Sequence, residues 1–78
     1  MTLKIMSPRK VELETEVQSV TVPGEQGPFT VLHDHAATIS NLTPGKASYR
    51  LTDGSTQEFE LKGGVADIRD NRITLCII

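Results

Sequence analysis

The chain has one cysteine, no tryptophan, one tyrosine and two phenylalanines in 78 residues. Each scarcity removes a class of protein. A lone Cys76 cannot close an internal disulfide, so a secreted disulfide scaffold is excluded, and an intracellular setting is the default expectation. So few aromatic residues cannot form a stacking platform for single-stranded nucleic acid. Positive charge is also lacking: eight Lys and Arg against ten Asp and Glu give a formal charge of −2, with no basic field to hold a phosphate backbone. No apolar run is long enough to cross a bilayer as a helix, and Met1 to Lys10 lacks the apolar stretch of a signal peptide. A role at a membrane would need attachment through another protein.

Length sets the next bound. Seventy-eight residues suit one domain, residues 1–78, whose small core gains stability from a partner. Turn signals recur closely, at Ser7-Pro8, Pro23-Gly24, Gly27-Pro28, Pro44-Gly45, Asp53-Gly54, Gly63-Gly64 and Asp70-Asn71. The pieces between them alternate apolar with polar residues at period 2. Ala47, Tyr49 and Leu51 share one strand face, and Phe59 and Leu61 share another, with Glu58, Glu60 and Lys62 opposite.

Asp53-Gly54 predicts a type I′ turn with positive φ at both central residues. Ile73, Leu75 and Ile77 oppose Thr74, Cys76 and Ile78, so the last strand is apolar on both faces and calls for an interior or covered position. This run also predicts a buried, inert thiol at Cys76. Apolar parity slips between Val17 and Val20, which predicts a bulge or turn near Thr15 and Glu16. Ala36 to Leu42 reads equally as a strand or a helical turn. The expectation is an all-β fold: a compact antiparallel β-sandwich or flattened barrel of short strands.

The inventory of reactive groups is thin. On an extended strand, His33 and His35 would project to one side as a metal pair must, but a third ligand has no obvious source; no metal and no cofactor are expected. The alternating glutamates have the pattern of a solvated face rather than of paired catalytic carboxylates. Pro23 to Pro28 has no lysine and no following helix, so it is a loop of defined shape and not a phosphate cradle. These features point to a binding or structural module with no catalytic residues. Three rivals remain: a lipoyl or biotinyl carrier presenting Lys46 after the turn at Gly45, a metal sensor using His33 and His35, and an adaptor of some other assembly.

The order of motifs carries more. The run Val20 to Gly45, VTVPGEQGPFTVLHDHAATISNLTPG, resembles the signature segment of the epsilon subunit of F-type ATP synthase. In that family a strand leads into a "PG-x-x-G" loop, an apolar strand, "PGHAP", and a strand ending in a "PG" turn. Ser7-Pro8 resembles the family's "VSP" start, Phe59 to Gly64 its "F-x-x-x-GG" stretch, and Val65 to Leu75 its "G-x-x-x-V-x-x-N-x-V-T-V" close. The likeness covers essentially the whole chain. It departs at His33-Asp34-His35-Ala36-Ala37, where the family has "PGHAP", and at Gly27-Pro28-Phe29-Thr30, where it often has "GELG".

The resemblance implies a non-catalytic rotor subunit of a proton-translocating ATP synthase, held at the cytoplasmic face of the cell membrane between the gamma subunit and the c-ring. Carried over residue by residue, it places Ser7, His35 and Ser40 toward gamma and Gly27, Pro28 and Phe29 in a loop toward the ring. Phe29 would sit at the tip of that loop, as a core plug or as an anchor. The family's C-terminal helical hairpin has no counterpart before Ile78, so the resemblance implies no nucleotide binding.

Overall fold

The computed structural model describes residues 1–78, and eight strands account for most of them. They are β1 (Thr2–Met6), β2 (Val11–Gly24), β3 (Gly27–Val31), β4 (Thr38–Leu42), β5 (Gly45–Leu51), β6 (Thr56–Leu61), β7 (Gly64–Arg69) and β8 (Arg72–Ile77). The order across the sheet is β1-β8-β7-β4-β2-β5-β6, with β3 beside β2 and a further pairing of β1 with β2. Because β2 meets both β1 and β4, the strands β2, β1, β8, β7 and β4 close a ring, joined on one side only by the pair Gly24 and Leu42. This is the flattened barrel form of the expected all-β fold. One pairing departs from the antiparallel expectation: β1 and β8, from opposite ends of the chain, run parallel.

Strand β2 makes the closure possible. Its 14 residues pair first with β1, then with β5, then with β3. The change of direction comes at Gln18, which the ladder to β5 skips between Val17 and Ser19. An inserted residue lets Val17 and Val20 both point inward, and both are buried. The bulge therefore lies beyond Thr15 and Glu16, which stay in register with β1. Gln18 is turned outward and donates from Nε2 to the Thr52 carbonyl at 3.1 Å.

Thirteen apolar residues make the core, with at least one from every strand. Leu3, Val20, Leu75 and Ala66 have no exposed surface at all. Tyr49 and Phe59 close the β5–β6 side, their ring centroids 6.1 Å apart at a tilt of 52°. Edge strand β6 is guarded by exposed Glu58 and Glu60, a charge pattern that discourages pairing with another chain. Strand β8 lies between β1 and β7, the interior position that its apolar ends require.

Cys76 is exposed, contrary to the expectation of a buried thiol. Leu75 takes the inward position, so its neighbour must face out, and no second layer covers that face.

The two turns with Asp differ. Asp70 and Asn71 both have positive φ, 51° and 58°, as a type I′ hairpin requires. At Asp53-Gly54 only Gly54 is positive, at 91°, and the Leu51 carbonyl accepts from Gly54 N–H while Leu51 N–H donates to Ser55. That is a three-residue loop with a glycine bulge, not the expected two-residue type I′ turn. Asp53 keeps a negative φ and uses its carboxylate instead: Oδ1 accepts from Ser55 Oγ at 2.6 Å and from Ser55 N–H at 2.9 Å.

The Ser55 hydroxyl first, and then its N–H, hold the Asp53 carboxyl below the ordinary value of 3.8. Because the folded pKa is the lower one, this turn's contribution is complete above the ordinary value and is lost as pH falls through the folded value. Denaturant titrations of the wild type and of Asp53→Asn should therefore converge in acid. A stability difference that stays constant from neutral pH down to about pH 2 would contradict this account.

Candidate partner-binding surface

The main concavity of the surface, about 610 Å³, lies between the tip of the β2–β3 hairpin and strand β4. Hairpin residues Gly24 to Phe29 form one wall, and His35 with Thr38 to Asn41 forms the other. The hairpin is tighter than a loop: Pro23 pairs with Pro28 and Gly24 with Gly27, leaving only Glu25 and Gln26 at the turn.

Several bonds tie the two walls together. Glu25 N–H donates to the Asn41 carbonyl at 2.9 Å, and Asn41 Nδ2 donates to Glu25 Oε2 at 3.0 Å. The Pro23 carbonyl accepts from Thr43 N–H at 2.9 Å and from its Oγ1 at 3.2 Å. The concavity is thus held by backbone pairs and is not a gap between mobile loops.

Phe29 is not at the tip but on β3, opposite Val22. It is half-buried, packs against the core and lines the concavity. Gly24 makes room for it, since a Cβ there would come within 2.7 Å of Phe29 Cε1. Ser40 lies on β4, where its Oγ donates to the Asn41 carbonyl at 3.1 Å.

His35 follows a tight turn in which its N–H donates to the Leu32 carbonyl at 3.2 Å. Its Nδ1 lies 2.8 Å from the Ala36 carbonyl. A carbonyl can only accept, so Nδ1 carries the proton in this contact. Between the two histidines Asp34 has φ 62°, which breaks the extended backbone that a same-side pair of His33 and His35 would need. His33 instead places Nδ1 3.2 Å from Asp34 Oδ2 in an exposed pair.

Five of the six residues assigned to partners from sequence, Gly27, Pro28, Phe29, His35 and Ser40, therefore line one surface. Ser7 does not. It sits in the β1–β2 turn, where its N–H donates to the Lys10 carbonyl at 2.9 Å and its Oγ accepts from the Lys10 N–H at 3.3 Å. Lys46, the carrier alternative, is inside β5 opposite Glu60 and not at a hairpin tip.

Two residues of this region are not announced by the sequence. Ile39 is 73% exposed on the rim of the concavity, beside a smaller hollow flanked by the Arg69–Asp67 pair at 2.7 Å. Strand parity turns it outward, but that signal is readable only once Ala36 to Leu42 is assigned to a strand. Asn71 reads from sequence as a turn residue and as the Asn of the family's closing motif, but nothing local announces its contact with Asp34.

Fold and surface together define a small all-β domain whose concave face combines a backbone-held hairpin, a histidine and an exposed isoleucine. A model of the "ATP synthase, Delta/Epsilon chain, beta-sandwich domain" family matches residues 1–77, and the chain belongs to that family. The ATP synthase epsilon chain of a Nitratiruptor species is 35% identical over 75 residues, which cover 96% of this chain and 58% of that one. The epsilon chain of Sinorhizobium fredii is 33% identical over 72 residues, covering 92% and 54%. The chain thus spans little more than half the length of these relatives.

Among solved structures, a chain of the Euglena gracilis mitochondrial ATP synthase (OSCP/F1/c-ring) superposes with a TM-score of 0.90 at 23% identity, covering 96% of this chain and 48% of that one. A chain of the Tetrahymena thermophila mitochondrial ATP synthase (central stalk and c-ring) gives a TM-score of 0.83 at 19% identity, covering 100% and 63%. At those identities the likeness concerns the fold.

Proposed function

We propose that this chain is a single β-sandwich domain, residues 1–78, acting as a non-catalytic rotor element of an ATP synthase. It joins the gamma subunit to the c-ring on the cytoplasmic side of the membrane, as a structural rather than a catalytic part. The observation that carries the proposal is the convergence of His35, Ser40, Gly27, Pro28 and Phe29 on one concavity in a chain of the epsilon family. The β4 wall with His35 and Ser40 faces gamma, and the hairpin wall faces the ring. Ser7, on a separate turn, is a second gamma contact outside the concavity.

The mechanics suit the role. A joint that transmits torque must not deform, and here both walls are tied by ladder and side-chain bonds to a closed barrel. Docking also adds stability to a small core by mass action.

Ile39 supplies the discriminating test. It is exposed, so Ile39→Asp should leave the melting temperature within a few degrees of the wild type, yet weaken binding to purified gamma subunit by more than about tenfold. Scanning calorimetry reads the first arm and isothermal titration the second. Unchanged affinity would remove the β4 wall from the gamma interface.

A further inference from the structure

Two left-handed residues from distant parts of the chain are locked together beside the concavity. Asp34 N–H donates to Asn71 Oδ1 at 2.7 Å, and Asn71 Nδ2 donates back to Asp34 Oδ1 at 3.1 Å. Their φ values are 62° and 58°, a region that Asp and Asn occupy more readily than other residues with a side chain. Asp34 Oδ2 is engaged separately by His33 at 3.2 Å, which leaves Oδ1 to Asn71.

Asn71 is itself well anchored. It is the second residue of the type I′ turn joining β7 to β8, and its carbonyl accepts from Thr2 N–H at 3.0 Å, which ties the turn to β1. The segment it grips has little else: between β3 and β4 the only backbone bond outside the ladders is His35 N–H to Leu32. The residue directly after Asp34 is His35, on the wall of the concavity.

We propose that Asn71 is a positioning residue for the partner surface: its two bonds to Asp34 hold the 32–37 segment so that His35 is presented in the concavity. The reciprocal pair engages both a backbone N–H and a side chain of Asp34, so it fixes the twist of the segment as well as its distance from β8. An apolar contact could supply distance alone. This inference rests on the rotor reading only for the identity of the partner.

Asn71→Gly is the decisive substitution. Glycine keeps the positive φ of the turn and deletes both side-chain bonds, so β7 and β8 stay paired. Amide exchange at Asp34 and His35 should rise roughly tenfold, and affinity for purified gamma subunit should fall by a similar factor, with the melting temperature little changed. Asn71→Asp should show the same defects, because it sets a carboxylate against Asp34. The exchanged pair Asp34→Asn with Asn71→Asp should restore protection and affinity, since both residues tolerate left-handed φ and the donor returns from the other side.

Wild-type exchange and affinity in Asn71→Gly would overturn the proposal. So would equal defects in Asn71→Asp and the exchanged pair, a comparison that stands even if Asn71→Gly fails to fold. If the wild-type chain does not bind gamma, the rotor reading fails, and the exchange measurements still decide whether Asn71 positions the segment.

Discussion

Replacing Leu75 by alanine is expected to destabilise the fold by about 2–5 kcal/mol. Leu75 is fully buried on β8, the strand that joins the parallel β1 to the antiparallel β7, so every neighbour is already committed to a ladder and cannot collapse into the cavity. For a domain this small, each kcal/mol is worth roughly 4–8 °C in melting temperature, so a fall of more than about 10 °C should be seen by calorimetry. The control is the next residue. Cys76 faces outward, and Cys76→Ser should change stability by less than about 0.5 kcal/mol. Equal losses in the two variants would mean that the inward and outward faces of β8 are assigned wrongly.

Gly64→Ala is expected to be at least as damaging, at about 3 kcal/mol or more. Two constraints coincide at Gly64. Its φ is 151°, outside the range that side-chain-bearing residues adopt comfortably, and a Cβ would run into the Cys76 carbonyl oxygen. Backbone cannot yield there, because Gly64 pairs with Leu42 on one side and Ile77 on the other. Gly54 is the contrast: its φ is 91°, but a Cβ there would meet nothing, so Gly54→Ala bears only conformational strain. Denaturant midpoints for the two variants should separate clearly, with Gly64→Ala the lower. A Gly64→Ala protein as stable as Gly54→Ala would contradict the close approach of β7 and β8.

What the sequence makes legible is local. Alternation places β5, β6 and β8 and their inward faces, because each strand buries one side against a single core. The Asp70-Asn71 turn is legible because two residues that tolerate positive φ stand together.

What stays hidden depends on partners distant in the chain. The bulge falls at Gln18 rather than near Thr15 because β2 must leave β1 at that point to reach β5, and the sequence does not say where β5 will lie. Gly63-Gly64 looks like the end of a strand, whereas Gly64 begins β7 at its tightest contact. Cys76 looks buried because it stands among apolar residues, yet its outward face has no covering layer.

The candidate surface divides in the same way. His35, Ser40, Gly27, Pro28 and Phe29 come from the order of family motifs, and the fold adds that they share one concavity. Ile39 and Asn71 need coordinates, one because its strand is ambiguous in sequence and the other because its contact spans 37 positions.

Purification of the tagged chain from its native membranes at low salt, with retained proteins identified by mass spectrometry, tests the central claim most directly. A rotor element should bring with it the gamma subunit, the catalytic subunits and the membrane ring, with gamma reduced for Ile39→Asp. Recovery of none of them, under conditions that keep the synthase whole, would contradict a rotor function.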